Sequence, residues 1–144
     1  MMTLQRAARA GAALALAIGV SLPVVAQPAA SYTNGSEFYL AYRVAFDKAT
    51  SIDELLPWVA KGRAEQIAKA PPGERREAFE MIKMFDDRTN VKVVKETPSV
   101  GGAELQVEGI SAESKGKATG VITLVKEGGA WKIERESWKG GMGQ

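Results

Sequence analysis

Tyr39, Tyr42 and Asp47 are the residues whose types and spacing come nearest to an acid–base set in this chain. A phenol and a carboxylic acid held in an apolar pocket can pass a proton, because burial raises the carboxyl pKa toward neutrality. On a helix, Tyr42 falls on the apolar stripe, whereas Tyr39 and Asp47 fall off it. Asp47 and Asp86 read more simply as solvated residues near helix ends. Arg135 is a second kind of candidate: a cation that either meets an anion at a pocket mouth or pairs with an acid on the next strand. Phe46, Trp58 and Trp131 would line that pocket, and Tyr42 and Phe85 complete the candidate ligand set. Met81, Met84 and Phe85 form an adaptable apolar edge, read as core filling or as a partner groove.

The chain has no His and no Cys. That removes the commonest general base, the usual partner of a nucleophilic Ser, and the commonest transition-metal ligands. Only hard cations bound by carboxylates would remain, and no Asp-rich calcium loop is present. No catalytic residue, metal or cofactor is expected.

Residues 1–26 read as a cleavable signal peptide. Arg6 and Arg9 precede an apolar run over 10–20, and Val24 and Ala26 suit a signal peptidase at the positions before the cut. The apolar stretch 10–26 is interrupted by Pro23 and falls short of the roughly 20 residues that span a bilayer. Cleavage after about Ala26 implies the periplasm or the medium, with no stable membrane insertion. Arg6 and Arg9 leave with the signal, so seventeen residues of each sign remain. A balanced chain without a basic cluster is not equipped for nucleic acid, which needs a cationic face for phosphates. Arg75-Arg76, hemmed by Glu74, Glu77 and Glu80, is a solvated helix face.

Behind a mobile leader over 27–35, apolar residues recur at helical spacing: Phe38, Ala41, Tyr42, Ala45, Phe46 and Ala49. Ser51 and Glu54 have capping-box spacing. Pro57 opens a second helix running to about residue 70, since proline suits a first helical position. A third helix spans about 74–86, with Phe79, Ile82 and Phe85 as its core stripe. From 91 onward the texture becomes β-branched runs separated by glycine turns, with strands over 91–97, 103–108, 117–126 and 130–138. Short connections make an antiparallel meander. By strict alternation, Trp131 and Trp138 point to opposite faces unless a bulge intervenes. The expected fold class is α+β: three N-terminal helices packed on a curved four-stranded antiparallel sheet, in one domain over 36–139, with a glycine-rich tail over 140–144.

The last hairpin, Val125-Lys126-Glu127-Gly128-Gly129-Ala130-Trp131-Lys132-Ile133 followed by Ser137-Trp138, resembles the final strand pair of small NTF2-like (cystatin-superfold) bacterial domains of the lumazine-binding-like and SnoaL-like groups. The stretch over residues 42–57, an amphipathic helix and then the step Ser51-Ile52-Asp53-Glu54-Leu55-Leu56-Pro57, is similar to their opening helices. The short strand or hairpin often found between those helices has no counterpart here. The resemblance implies helices seated in a curved sheet, often with dimerisation through the open sheet face, and no single activity. The expected function is therefore an exported, non-enzymatic domain that binds a small apolar or amphiphilic ligand, or a protein partner, through its concave sheet. A cofactor-free lyase or isomerase using a Tyr and a buried carboxylate is the alternative.

Overall fold

The first helix is held at both ends by distant parts of the chain. In the computed structural model, which describes residues 32–140, helix α1 spans Gly35–Lys48. Asn34 Oδ1 accepts from the Glu37 amide at 2.9 Å. Glu96, on the first strand, accepts from the Ser36 amide at 2.7 Å and the Gly35 amide at 3.3 Å. Amides in a first turn lack partners inside the helix, and a carboxylate there also meets the positive end of the helix dipole. At the other end, Lys83 Nζ donates to the Phe46 carbonyl at 2.7 Å. Tyr32, expected in a mobile leader, instead packs edge-on against Phe38 at 5.7 Å. The expected signal segment 1–26, residues 27–31 of the leader and residues 141–144 of the tail lie outside the described residues.

Between α1 and the sheet the chain departs from expectation. Glu54 accepts from the Thr50 amide at 2.8 Å, so Thr50 rather than Ser51 takes its carboxylate. Two short 3₁₀ turns follow, Ile52–Glu54 and Leu56–Trp58, and Pro57 sits in the second instead of opening a long helix. The reason is tertiary. Val59 forms a parallel bridge to Ile133, and the Ala60 amide donates to the Ile133 carbonyl at 2.8 Å. That extended step delays helix α2 to Lys61–Lys69, and α3 follows over Pro72–Phe85. Of the expected stripe on α3 only Phe79 is buried; Ile82 and Phe85 are exposed. The helix leans on the first 3₁₀ turn and reaches the end of α1 through Lys83, so only part of its length reaches the core.

The sheet is an antiparallel meander in the order β1-β2-β3-β4, spanning Arg88–Ser99, Gly102–Ser111, Lys117–Glu127 and Ala130–Lys139. The protein is thus α+β, with helices before strands as the sequence implied. Gly128 and Gly129 both adopt positive φ (58° and 81°), which a two-residue hairpin with right-handed strand twist requires. Leu105 and Val107 of β2, and Ile122 and Leu124 of β3, point inward against Phe38, Tyr39, Tyr42 and Phe46 of α1. Each such apolar side chain contributes about 1.5–3 kcal/mol when removed from water.

One irregularity redirects the end of β4. Thr123 pairs with Arg135 and its neighbour Leu124 with Ile133, which leaves Glu134 as an extra residue. A bulge of this kind shifts the side-chain alternation by one. Beyond it Glu136 and Trp138 join the helix side, so both tryptophans contact the same core cluster. Room for the Trp138 ring comes from its cross-strand partner Gly120, where a Cβ would lie 2.8 Å from Trp138 Cδ2 and 2.9 Å from Val107 Cγ2.

Candidate functional site

A layer of alternating charge and aromatic ring forms the centre of the site. Arg43 leaves the buried face of α1, where it sits between Tyr42 and Phe46. It donates to Asp86 through Nη1 at 2.6 Å and Nη2 at 3.3 Å, a two-pronged pair. Arg88 Nε donates to the same carboxylate at 3.0 Å. The Arg88 guanidinium lies 4.6 Å from the Trp138 ring centroid, and that of Arg43 lies 5.2 Å from Phe46. Burial opposes ionisation of Asp86, but the Arg43 hydrogen bond and charge, joined by Arg88, outweigh it. They hold the carboxyl below its usual range. The same pairing raises the Arg43 pKa against the cost of its own burial.

Glu136, turned inward by the bulge, accepts from the Tyr39 hydroxyl at 3.2 Å. Burial first, and the Glu136 charge second, push the pKa values of both Tyr39 and Tyr42 upward. Each phenol therefore stays protonated through the neutral range.

Beside this layer lies a cavity of about 360 Å³. Phe46 of α1, Ile52 and Leu56 of the 3₁₀ turns, Leu55 between those turns, Val59 of the extended step and Ile67 of α2 form its apolar wall. Tyr42, Arg63, Asp86, Arg88 and Glu136 supply its polar groups, with Trp138 between them. Trp138 Nε1 is buried and has no hydrogen-bond partner. Among the described residues no cluster of three or more Asp and Glu side chains converges as a metal site would need.

The candidate residues scatter. Tyr42 and Phe46 line the cavity. Trp58 packs outside it, against Phe38 at 5.5 Å and Tyr42 at 6.0 Å. Trp131 is buried in the core beneath Lys126, whose Nζ sits 4.6 Å from the ring centroid. Phe85 is 52% exposed, since α3 ends beyond the core. Arg135 stands exposed away from the helices, because the bulge gives its inward position to Glu136. Tyr39, placed off the apolar stripe by its spacing, is fully buried; Asp86, read as solvated, is locked between two guanidiniums.

Arg43, Arg63, Arg88 and Glu136 were missed. For Arg43 a signal existed: it lies four residues after Tyr39 and three before Phe46, on one helix face. Glu136 carried none, since its direction depends on the bulge. No protein-family profile, no curated protein and no solved structure matches the chain.

Proposed function

We propose that this chain is an exported binding domain that holds one small apolar or amphiphilic molecule between α1, the 3₁₀ turns, α2, α3 and the inner face of the sheet. The observation that carries the reading is the cavity of about 360 Å³ with an aliphatic wall and several polar groups. Small-molecule sites have this size and this mixture, with apolar lining for affinity and sparse polar groups for orientation. Each 100 Å² of ligand hydrocarbon withdrawn from water contributes about 2.5 kcal/mol. Arg63 or Glu136 would orient a polar end. A ligand acceptor would also satisfy the buried Trp138 Nε1, whose lack of a partner costs roughly 1–3 kcal/mol. The basic, then apolar, then small-residue order of residues 1–26 supports export. The hairpin over 125–133 with Ser137-Trp138 supports an NTF2-like ancestry, in which helices lie on a curved meander.

The test is a titration with N-phenyl-1-naphthylamine, an uncharged apolar fluorophore. Saturable one-to-one enhancement is expected. Ile67→Trp, which pushes a ring into the cavity from α2, should weaken binding by at least about tenfold, equivalent to about 1.4 kcal/mol, while the thermal midpoint is retained. Absence of saturation, or an Ile67→Trp variant that binds like the parent, overturns the reading.

A lyase or isomerase draws on one observation: Tyr42 and Glu136 line the same cavity. There the Tyr42 hydroxyl can donate a hydrogen bond, but burial and the Glu136 charge raise its pKa and make it a poor proton donor. Asp86, held ionised by two arginines, is not the protonated acid such a mechanism asks of a buried carboxyl. Binding is the better-supported reading.

A further inference from the structure

The polar groups lining the cavity divide into acceptors that the chain itself fills and donors that it leaves open. Asp86 accepts on both oxygens: from Arg43 at 2.6 and 3.3 Å, from Arg88 Nε at 3.0 Å and from the Arg88 amide at 3.3 Å. Glu136 accepts from the Tyr39 hydroxyl at 3.2 Å. On the donor side, Arg63 of α2 is exposed, and among the described residues it makes no ion pair or hydrogen bond. Arg88 engages Asp86 through Nε, and its terminal Nη1 and Nη2 have no hydrogen-bond partner among the described residues. Trp138 Nε1, which can only donate, is buried without a partner. The charges are unequal too. Three guanidiniums, of Arg43, Arg63 and Arg88, face two carboxylates, of Asp86 and Glu136, so one positive charge is left over. On α2, Arg63 precedes Ile67 by one turn, and on α3, Ile82 precedes Asp86 by one turn. Each helix thus sets a charge beside an aliphatic side chain.

Given a ligand in this cavity, as proposed above, we infer that it is an alkyl carboxylate. Its hydrocarbon chain lies on Ile52, Leu56 and Ile67, and its carboxylate meets Arg63 and the open donors of Arg88 and Trp138. A guanidinium presents paired N–H groups that match the two oxygens of a carboxylate. An ammonium head would bring more donors to a site whose acceptors are filled, and would add to the surplus charge. An alcohol would accept from one donor and leave that charge unbalanced. A doubly charged head would exceed the surplus of one. Arg63 is exposed, so the attraction weakens with salt.

Calorimetric titrations with decanoate, 1-decanol and decyltrimethylammonium, which share one tail and differ in the head, test the inference. Decanoate should bind one-to-one, at least about tenfold more tightly than either of the others, and this advantage should shrink as salt is raised. Arg63→Gln should cut the decanoate-to-decanol affinity ratio by at least about fivefold. Arg63→Glu should turn the preference toward decyltrimethylammonium. Both variants should keep the parent thermal midpoint, because Arg63 is exposed. Saturable binding of decanol or N-phenyl-1-naphthylamine without a preference for decanoate overturns this inference and leaves the cavity standing as a ligand site. Saturation by none of the three amphiphiles nor by the naphthylamine overturns both. A decanoate preference that survives Arg63→Gln and Arg63→Glu unchanged also overturns the inference.

Discussion

Asp86 is the residue on which most of the buried charge of this protein converges. Its carboxylate takes hydrogen bonds from Arg43 and Arg88, and the Arg43–Asp86 pair is almost wholly withdrawn from water. A pair of this kind adds little over a well-packed apolar one, but removing one member strands the other. Asp86→Asn should therefore cost about 3–5 kcal/mol in urea unfolding at pH 7. The pH dependence has a definite sign. The folded pKa lies below the unfolded value of about 3.9, so the stabilisation is present above that value and is lost as pH falls through the folded pKa. The parent should lose stability steeply below about pH 4, and Asp86→Asn should show a flatter acid limb. Parallel acid limbs would show that Asp86 does not carry this term.

Among the elements, β4 shows how one extra residue moves function. Without the bulge at Glu134, strict alternation would keep Glu136 and Trp138 on the outer face and bring Arg135 inward. With it, β4 delivers a carboxylate and an indole to the cavity and leaves a cation outside. Trp138 fits because Gly120 has no side chain. Gly120→Ala should cost about 1–3 kcal/mol of overpacking and lower the affinity for the naphthylamine probe, because the new methyl forces the indole out of its notch. Equilibrium unfolding and the probe titration measure the two effects; a neutral Gly120→Ala would mean that the ring shifts freely. The α1 helix shows the same dependence on distant chain, since Glu96 accepts at its start and Lys83 donates at its end.

At the scale of the molecule, burial is uneven. The inner face of β2 and β3 is packed on α1, while α2 has no buried residue and α3 has one, Phe79. These helices form one side of the cavity through Arg63, Ile67 and Ile82, so that wall of the cavity is built from the least anchored elements. Native-state amide exchange should be fastest in α2, intermediate in α3, and slowest in β2 and β3. Saturating N-phenyl-1-naphthylamine should slow exchange in α2 selectively. Equal protection of α2 and β3 in the free protein would contradict this ordering.

Much of this architecture was legible in the residues themselves. The helical stripe through Phe38, Tyr42 and Phe46, the alternation of Ala103, Leu105 and Val107, and the Gly128-Gly129 turn each depend on neighbours a few positions apart. So does the order of helices before strands, and with it the α+β class. The absence of His and Cys confined the chemistry that side chains can offer. What only tertiary structure decided was the direction and company of individual polar groups. Arg43 and Asp86 are 43 positions apart, and Tyr39 and Glu136 are 97 apart. The Val59–Ile133 bridge overrode the local preference of Pro57 for starting a helix. A bulge cannot be read from alternation, because a single unpaired residue inverts every side chain after it. Local spacing thus made the elements, and the long-range pairing of strands chose which side chains face the cavity.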